Sequence, residues 1–221
     1  MRAFWCGFAI AGMAIPLLSL SAAAGQEQVF KIDFSNPGLS PSHWTMTLYP
    51  DGKGHFQSDR GSAHGDDQDV GAPSVDRDIR VSPAFAGRIF ELVHQRKNMR
   101  GECESKLKVA FQGWKKLNYT GPEGDWECTF NYSKDKEIQA LGDTLVAVGG
   151  TIVEGARLEM LLQHDRLGLD KETEYLVEAA GDGRAQQFVA IRGILERLAD
   201  DPSVLERVRK RARVLLARSD G

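Results

Sequence analysis

The 221-residue sequence predicts an α+β protein: an antiparallel sheet built from a hairpin, a crossing helix and a three-stranded meander, followed by a C-terminal helical region. Two changes of period lead to this. From about residue 29 to 132 apolar and polar residues alternate, as on a half-buried strand. From about 134 onward apolar residues recur at three and four residues, as on a helix packed along one side. A third observation is a cysteine pair, Cys103 and Cys128, placed to staple the sheet region. The chain therefore divides into a signal peptide at 1–24, a β-rich part at 25–133 with one helix and a disulfide, and a helical part at 134–221. The helical part packs on the sheet or forms a small domain of its own.

The N-terminal segment has a positive start at Arg2 and an apolar run from Phe4 to Leu20. It ends Ser21-Ala22-Ala23-Ala24, the pattern of a secretory signal cleaved after Ala24. The run is also near the minimum length of an uncleaved anchor, but Gly7, Gly12 and Pro16 favour cleavage, leaving no stable membrane span. The expected location is thus the periplasm or the cell exterior. Cys6 departs with the signal, so the mature chain keeps two cysteines, and in an exported protein these are expected to form one structural disulfide.

Phe30, Ile32 and Phe34 alternate with polar neighbours, as do Trp44, Met46 and Leu48. Pro50-Asp51-Gly52 then turns the chain into a returning strand at 54–58. A polar stretch from Asp59 to Asp78 reads as a long loop before a short strand at 78–81. Ser82-Pro83 has the cap and first-turn chemistry of a helix start, and Phe85, Ile89, Leu92 and Val93 supply its apolar face. The predicted meander has strands at Leu107, Val109 and Phe111, at Leu117 and Tyr119, and at Trp126, Cys128 and Phe130. Its turns fall at Gln112-Gly113 and Gly121 to Asp125.

In the helical part, Ile138, Leu141, Leu145 and Val148 mark one helix and Val153 to His164 a second, linked at Gly149-Gly150. Asp170 is expected to cap a short helix carrying Leu176. Phe188, Ile191, Leu195 and Leu198 form a further stripe, and Asp201-Pro202 opens the last helix.

The composition excludes several classes. With 28 Lys+Arg against 31 Asp+Glu, 42% hydrophobic residues, 23 Gly, 8 Pro and 3 Cys, the chain is neither collagen-like, low-complexity nor a disulfide-dense mini-protein. A net charge of -3 does not advertise nucleic-acid binding. The sequence carries no His-Glu-x-x-His, no Gly-x-x-x-x-Gly-Lys-Ser/Thr, no dinucleotide fingerprint and no Gly-x-Ser-x-Gly.

Three surface features remain. The loop at 59–78 gathers His64, Asp66, Asp67 and Asp69, with His55 just before it. Carboxylates and imidazoles together suit a hard cation, zinc or manganese, although the spacing is not that of a calcium loop and a solvated connection is the plainer reading. On the meander, Trp114 is expected to face outward with Lys106, Lys108 and Lys116, an aromatic among cations able to stack on a sugar, a nucleobase or a protein partner. The last helix carries Arg207, Arg209, Lys210, Arg211, Arg213 and Arg218, of which Arg209 and Arg213 are candidate contacts for an acidic partner. The expected function is an exported, non-enzymatic binding or scaffold protein that needs no cofactor. Its expected contacts are protein or cell-envelope polymer, not nucleic acid. The alternative is a metal-dependent hydrolase using His55, His64 and the Asp66 to Asp69 cluster.

Overall fold

The computed structural model describes residues 1, 27–61, 71–96, 103–122 and 124–219. The predicted signal segment, Met1 aside, and the loop residues His64, Asp66, Asp67 and Asp69 lie outside the described residues.

The alternating segments become β1 (Val29–Ser35), β2 (His43–Leu48) and β3 (Lys53–Ser58), and a fourth strand, β4 (Val75–Arg80), returns along β3. After α1 (Pro83–Gln95) come β5 (Trp114–Thr120) and β6 (Trp126–Phe130). All neighbours are antiparallel, in the order β4-β3-β2-β1-β5-β6. β1 pairs Ile32 with Met46 on one side and with Leu117 on the other, so the first strand lies inside the sheet. The period of two sends Phe30, Ile32, Phe34, Trp44, Met46, Leu48, Phe56, Leu117, Tyr119 and Phe130 to one face, where they are buried. The opposite face carries Lys31, Asp33, Thr45, Thr47, His55 and Gln57, none of them buried.

Helices cover the apolar face. Ser82 caps α1 as its sequence predicts, its hydroxyl accepting from the Phe85 N–H at 3.2 Å, with Pro83 in the first turn. Phe85, Ile89, Phe90 and Val93 of α1 join the sheet core. So do Ile138, Leu145, Val148 and Ile152 of α2 (Lys136–His164). Asp135 caps α2 by accepting from Glu137 and Ile138, and Arg96 at the end of α1 pairs with both Asp135 and Glu137.

Two core clusters meet on α2. Its second half contributes Leu158, Leu161 and Leu162 to a separate core with α3 (Gly168–Asp182), a 3-10 turn at Phe188–Ile191, α4 (Arg192–Asp200) and α5 (Glu206–Ala217). A bidentate pair from Arg77 of β4 to Glu159 of α2, at 3.0 and 2.7 Å, ties the sheet to this junction.

Five sequence expectations are corrected. The link at Gly149-Gly150 is absent: α2 runs through it as one helix of 29 residues. A Cβ on Gly149 would lie 2.6 Å from the Trp44 ring, so this glycine admits the indole and does not end the helix. Gly142 does the same for Phe130 and Lys115, and Gly155 for Ile191. The strand before Ser82 spans Val75–Arg80 and not 78–81, because its pairing with β3 fixes its length. Asp170 sits in the first turn of α3, not at its cap; Asp165 accepts from the Leu167 and Gly168 N–H groups there. The last helix begins at Glu206, after Val204 has turned into the core. Finally, Leu107, Val109 and Phe111 form no strand. β6 stays the edge of the sheet: Lys106 has φ 57° and the Val109 N–H turns back to the Leu107 carbonyl, so 103–113 is bent where a strand would be extended, and it runs beside the end of β6 without joining it.

Candidate interaction surface

The segment 103–113 is fixed at both ends. At its start, Cys103 is bonded to Cys128 with a Cα–Cα distance of 5.5 Å, which joins the chain leaving α1 to the edge strand β6. Glu104 next to it is a hydrogen-bond hub. Its carboxylate accepts from the N–H of Asn131 at 2.6 Å, of Lys106 at 3.1 Å and of Tyr132 at 3.4 Å. Burial opposes its charge, but these donors outweigh burial and hold the carboxyl below its usual range. The Ser105 N–H donates to the Tyr132 carbonyl at 2.8 Å.

At the far end Asn131 clamps the chain, accepting from the Gln112 N–H at 2.7 Å and donating to the Ala110 carbonyl at 3.3 Å. Gly113 follows with φ 109°, and a Cβ there would lie 2.5 Å from the Phe34 ring, so only glycine lets the chain enter β5 at this point. Asn131 is itself buried, with both ends of its amide bonded.

Between these clamps the side chains face solvent. Leu107, Val109 and Phe111 are exposed, at 51%, 40% and 50%, and Trp114 joins them at 45%. The Phe111 and Trp114 rings meet edge to face, with centroids 6.1 Å apart. Lys106 and Lys108 are exposed along the same strip, and Lys116 pairs with Glu127 at 3.0 Å. The outward placement expected for Trp114, Lys106, Lys108 and Lys116 is what the structure gives.

Sequence reasoning missed Leu107, Val109 and Phe111 as surface residues, since their alternation reads as a buried strand face. It also missed Lys115, although the parity of Leu117 and Tyr119 places that lysine on the inward face. Lys115 is 2% exposed, donates to the Asn131 carbonyl at 3.2 Å, lies 3.5 Å from Asp143 and rests over the Phe130 ring. Burial pushes its ammonium below the usual lysine value, and the nearby Asp143 charge only partly compensates.

His55 of the predicted metal set lies elsewhere, on the open sheet face. Its Nδ1 is 3.0 Å from Asp78 and its Nε2 3.0 Å from Asp76, so the ring lies between two carboxylates of β4. Each nitrogen faces its own partner, which is the geometry of a clamped imidazolium and not of convergent metal ligands. Hydrogen bonding to Asp78, with the Asp76 charge, raises the His55 pKa despite some desolvation. Among the described residues no group of three or more His, Cys, Asp or Glu side chains is arranged to hold a metal.

The basic helix is committed internally. Arg207 and Arg211 both reach Asp170 of α3, at 2.6 and 2.7 Å, and Arg211 also reaches Glu174. Arg209 and Arg213, the candidate partner contacts, both pair with Glu206 of their own helix, and Arg213 also donates to the Ala199 carbonyl of α4. Val208, Ala212 and Leu215 fill the core beneath. This arrangement serves α3–α4–α5 packing and leaves the strip around Trp114 as the stronger contact candidate.

The fold and this surface define an antiparallel α+β protein with one disulfide and an exposed aromatic strip. Compared with protein-family models and with curated proteins, the sequence matches none. Among the described residues no helix is long and apolar enough to cross a membrane.

Proposed function

We propose that the protein is an exported binding or scaffold protein whose contact surface is the strip Lys106 to Trp114. The observation that carries this reading is the exposure of Leu107, Val109, Phe111 and Trp114 on a segment clamped at both ends. Each of the four large apolar side chains is about half covered, so leaving the rest in water forgoes about half of the roughly 1.5–3 kcal/mol that full burial of each would give. Contiguous apolar exposure of this kind marks contact sites. The clamps favour binding, because a strip already held in place loses little conformational freedom when it docks. The disulfide and the signal-like N-terminus support export.

The test is retention of an envelope or extracellular partner by the immobilised mature protein, compared with Phe111→Ala and Trp114→Ala variants. A protein or polymer retained by the parent and lost from both variants supports the reading. Equal retention by all three refutes it.

A further inference from the structure

We propose that the uncovered face of the sheet binds a neutral polysaccharide chain, laid from Trp114 across β1 and β2 to β3; this rests on Trp114 being part of the contact surface. Three observations carry it.

First, the face is open and its one aromatic stands at a corner. The helices pack on the other side, and every side chain that the strands turn away from them is exposed or half-buried. Among the described residues, Trp114 is the only aromatic that the six strands place there; it is 45% exposed and its ring is met edge to face by Phe111. A pyranose ring offers an apolar face of C–H groups that fits a flat indole, with hydroxyls around its rim.

Second, uncharged polar groups continue from Trp114. Ser35 of β1 pairs with Trp114 on one side and with His43 of β2 on the other, and two residues along β2 Thr45 pairs with Gln57 of β3. From β5 to β3 is three strand spacings, roughly 14–15 Å, a length that takes more than one sugar ring. Among the described residues, the side chains of Ser35, Thr45, Thr47, Gln57 and Asn118 hydrogen-bond to no protein group. Their hydroxyls and amides both donate and accept, as sugar hydroxyls do.

Third, the charge on the face cancels within the face. The cations Lys31, Lys53, Arg80 and Lys116 equal in number the carboxylates Asp33, Asp76, Asp78 and Glu127. Lys116 pairs with Glu127 at 3.0 Å, His43 lies 3.1 Å from Asp33, and His55 sits between Asp76 and Asp78.

These features select the occupant. A nucleic acid or an acidic glycan needs an excess of cations, which a balanced face does not supply. A protein partner or a second copy needs an apolar centre, whereas Trp114 stands at one corner and the centre holds charged pairs. A bilayer would have to desolvate those same pairs. A neutral glycan leaves them hydrated, because its hydroxyls and bound water bridge to them.

The probes are three soluble neutral polysaccharides, a β-glucan, a mannan and dextran, with polygalacturonate as the anionic control; binding to the protein is read by isothermal titration calorimetry. At least one neutral polymer is expected to bind, with a Kd unchanged when salt is raised, since no ion pair forms on binding. Trp114→Ala removes the stacking ring, and Thr45→Val combined with Gln57→Met removes hydrogen-bonding groups while keeping the shape of the face. Each should raise Kd by about tenfold or more. Circular dichroism confirms that each variant is folded, and Gln57→Met alone replaces the pair if the pair is not.

No binding to any neutral polymer overturns the proposal, as does tighter binding of polygalacturonate, a Kd that rises steeply with salt, or a Kd that neither variant changes. Binding lost in Trp114→Ala but unchanged in the Thr45 and Gln57 variant places the sugar on the strip alone, and the sheet face falls. If no polysaccharide binds while Phe111→Ala and Trp114→Ala still lose the retained partner, the contact surface stands and glycan recognition falls. If partner retention survives those two substitutions, the contact surface falls and the proposal with it.

Discussion

Replacing Gly149 by alanine sets helix propensity against packing at a single position. Both Gly149 and Gly150 lie inside α2, where alanine is favoured over glycine by about 0.8–1.0 kcal/mol on propensity alone. Their surroundings differ. A Cβ on Gly150 meets nothing within 4 Å, whereas one on Gly149 would lie 2.6, 2.8 and 2.9 Å from three atoms of the Trp44 indole. The indole cannot easily retreat, since it is 4% exposed and held between Phe34 and Phe56, with ring centroids at 5.1 and 5.5 Å. Overpacking of this kind costs about 1–3 kcal/mol and can cost more where the neighbour is pinned. Gly150→Ala should therefore stabilise by about 0.5–1 kcal/mol, and Gly149→Ala should destabilise by about 1–2 kcal/mol net. Urea unfolding followed by circular dichroism reads both as shifts in midpoint at constant slope. Midpoint shifts of the same sign would refute the claim that the approach of Trp44, and not helix propensity, explains why glycine stands at 149.

Three further predictions concern the staple and the buried or clamped charges. Cys103→Ser with Cys128→Ser opens a closure of 25 residues and should cost about 3 kcal/mol on the chain-entropy account, read in the same urea assay under non-reducing conditions. Lys115→Met should change stability by less than about 1–2 kcal/mol, because it removes a costly buried ammonium while keeping its bulk. Asp143→Ala should be the worse substitution, since it leaves that ammonium without its carboxylate. The lowered pKa of Lys115 means that the unfolded chain binds the extra proton in the alkaline window between the two values. Stability carried by this group accordingly rises with pH there, and Lys115→Met should flatten that rise. His55 has the opposite sign. Its raised pKa makes its contribution complete below the ordinary value of 6.5 and lost as pH climbs through the higher folded value. His55→Gln should abolish this slope, and NMR titration should place the imidazole above 6.5; a value at or below it would refute the clamp.

The legible parts of the fold were those written in local period and local chemistry. Alternation placed Phe30, Ile32 and Phe34 on the buried face and turned Trp114 outward, Ser82-Pro83 started α1, and compartment chemistry paired Cys103 with Cys128. Each depends on a few neighbouring residues, or on elimination among two cysteines. The misread parts depend on what lies opposite in space. Gly149-Gly150 reads as a break in one dimension because glycine lacks a Cβ, and for the same reason it becomes a docking notch for Trp44 in three. Leu107, Val109 and Phe111 carry a strand's alternation, but a strand needs an extended backbone that shares its groups with a neighbour. The chain is bent at Lys106, with φ 57°, and at the turn from the Val109 N–H to the Leu107 carbonyl, so it does not add to the open edge of β6 and the same residues become an exposed strip.

The candidate site followed the same division. Trp114 and Lys116 were found from the parity of β5, whereas Lys106 and Lys108 were placed outward on a strand that does not form. Leu107, Val109 and Phe111 were assigned to the wrong environment, and the basic terminal helix, conspicuous by composition, proved to be tied to Asp170, Glu174 and Glu206. By itself the sequence determined the α+β class, the positions of most elements and the buried face of β1, β2, β5 and β6, since period and capping act over a few residues. Only the tertiary structure decided the strand order, the unbroken passage of α2 between two cores and the exposure of the Trp114 strip. Those outcomes turn on which surfaces remain uncovered once distant segments have packed.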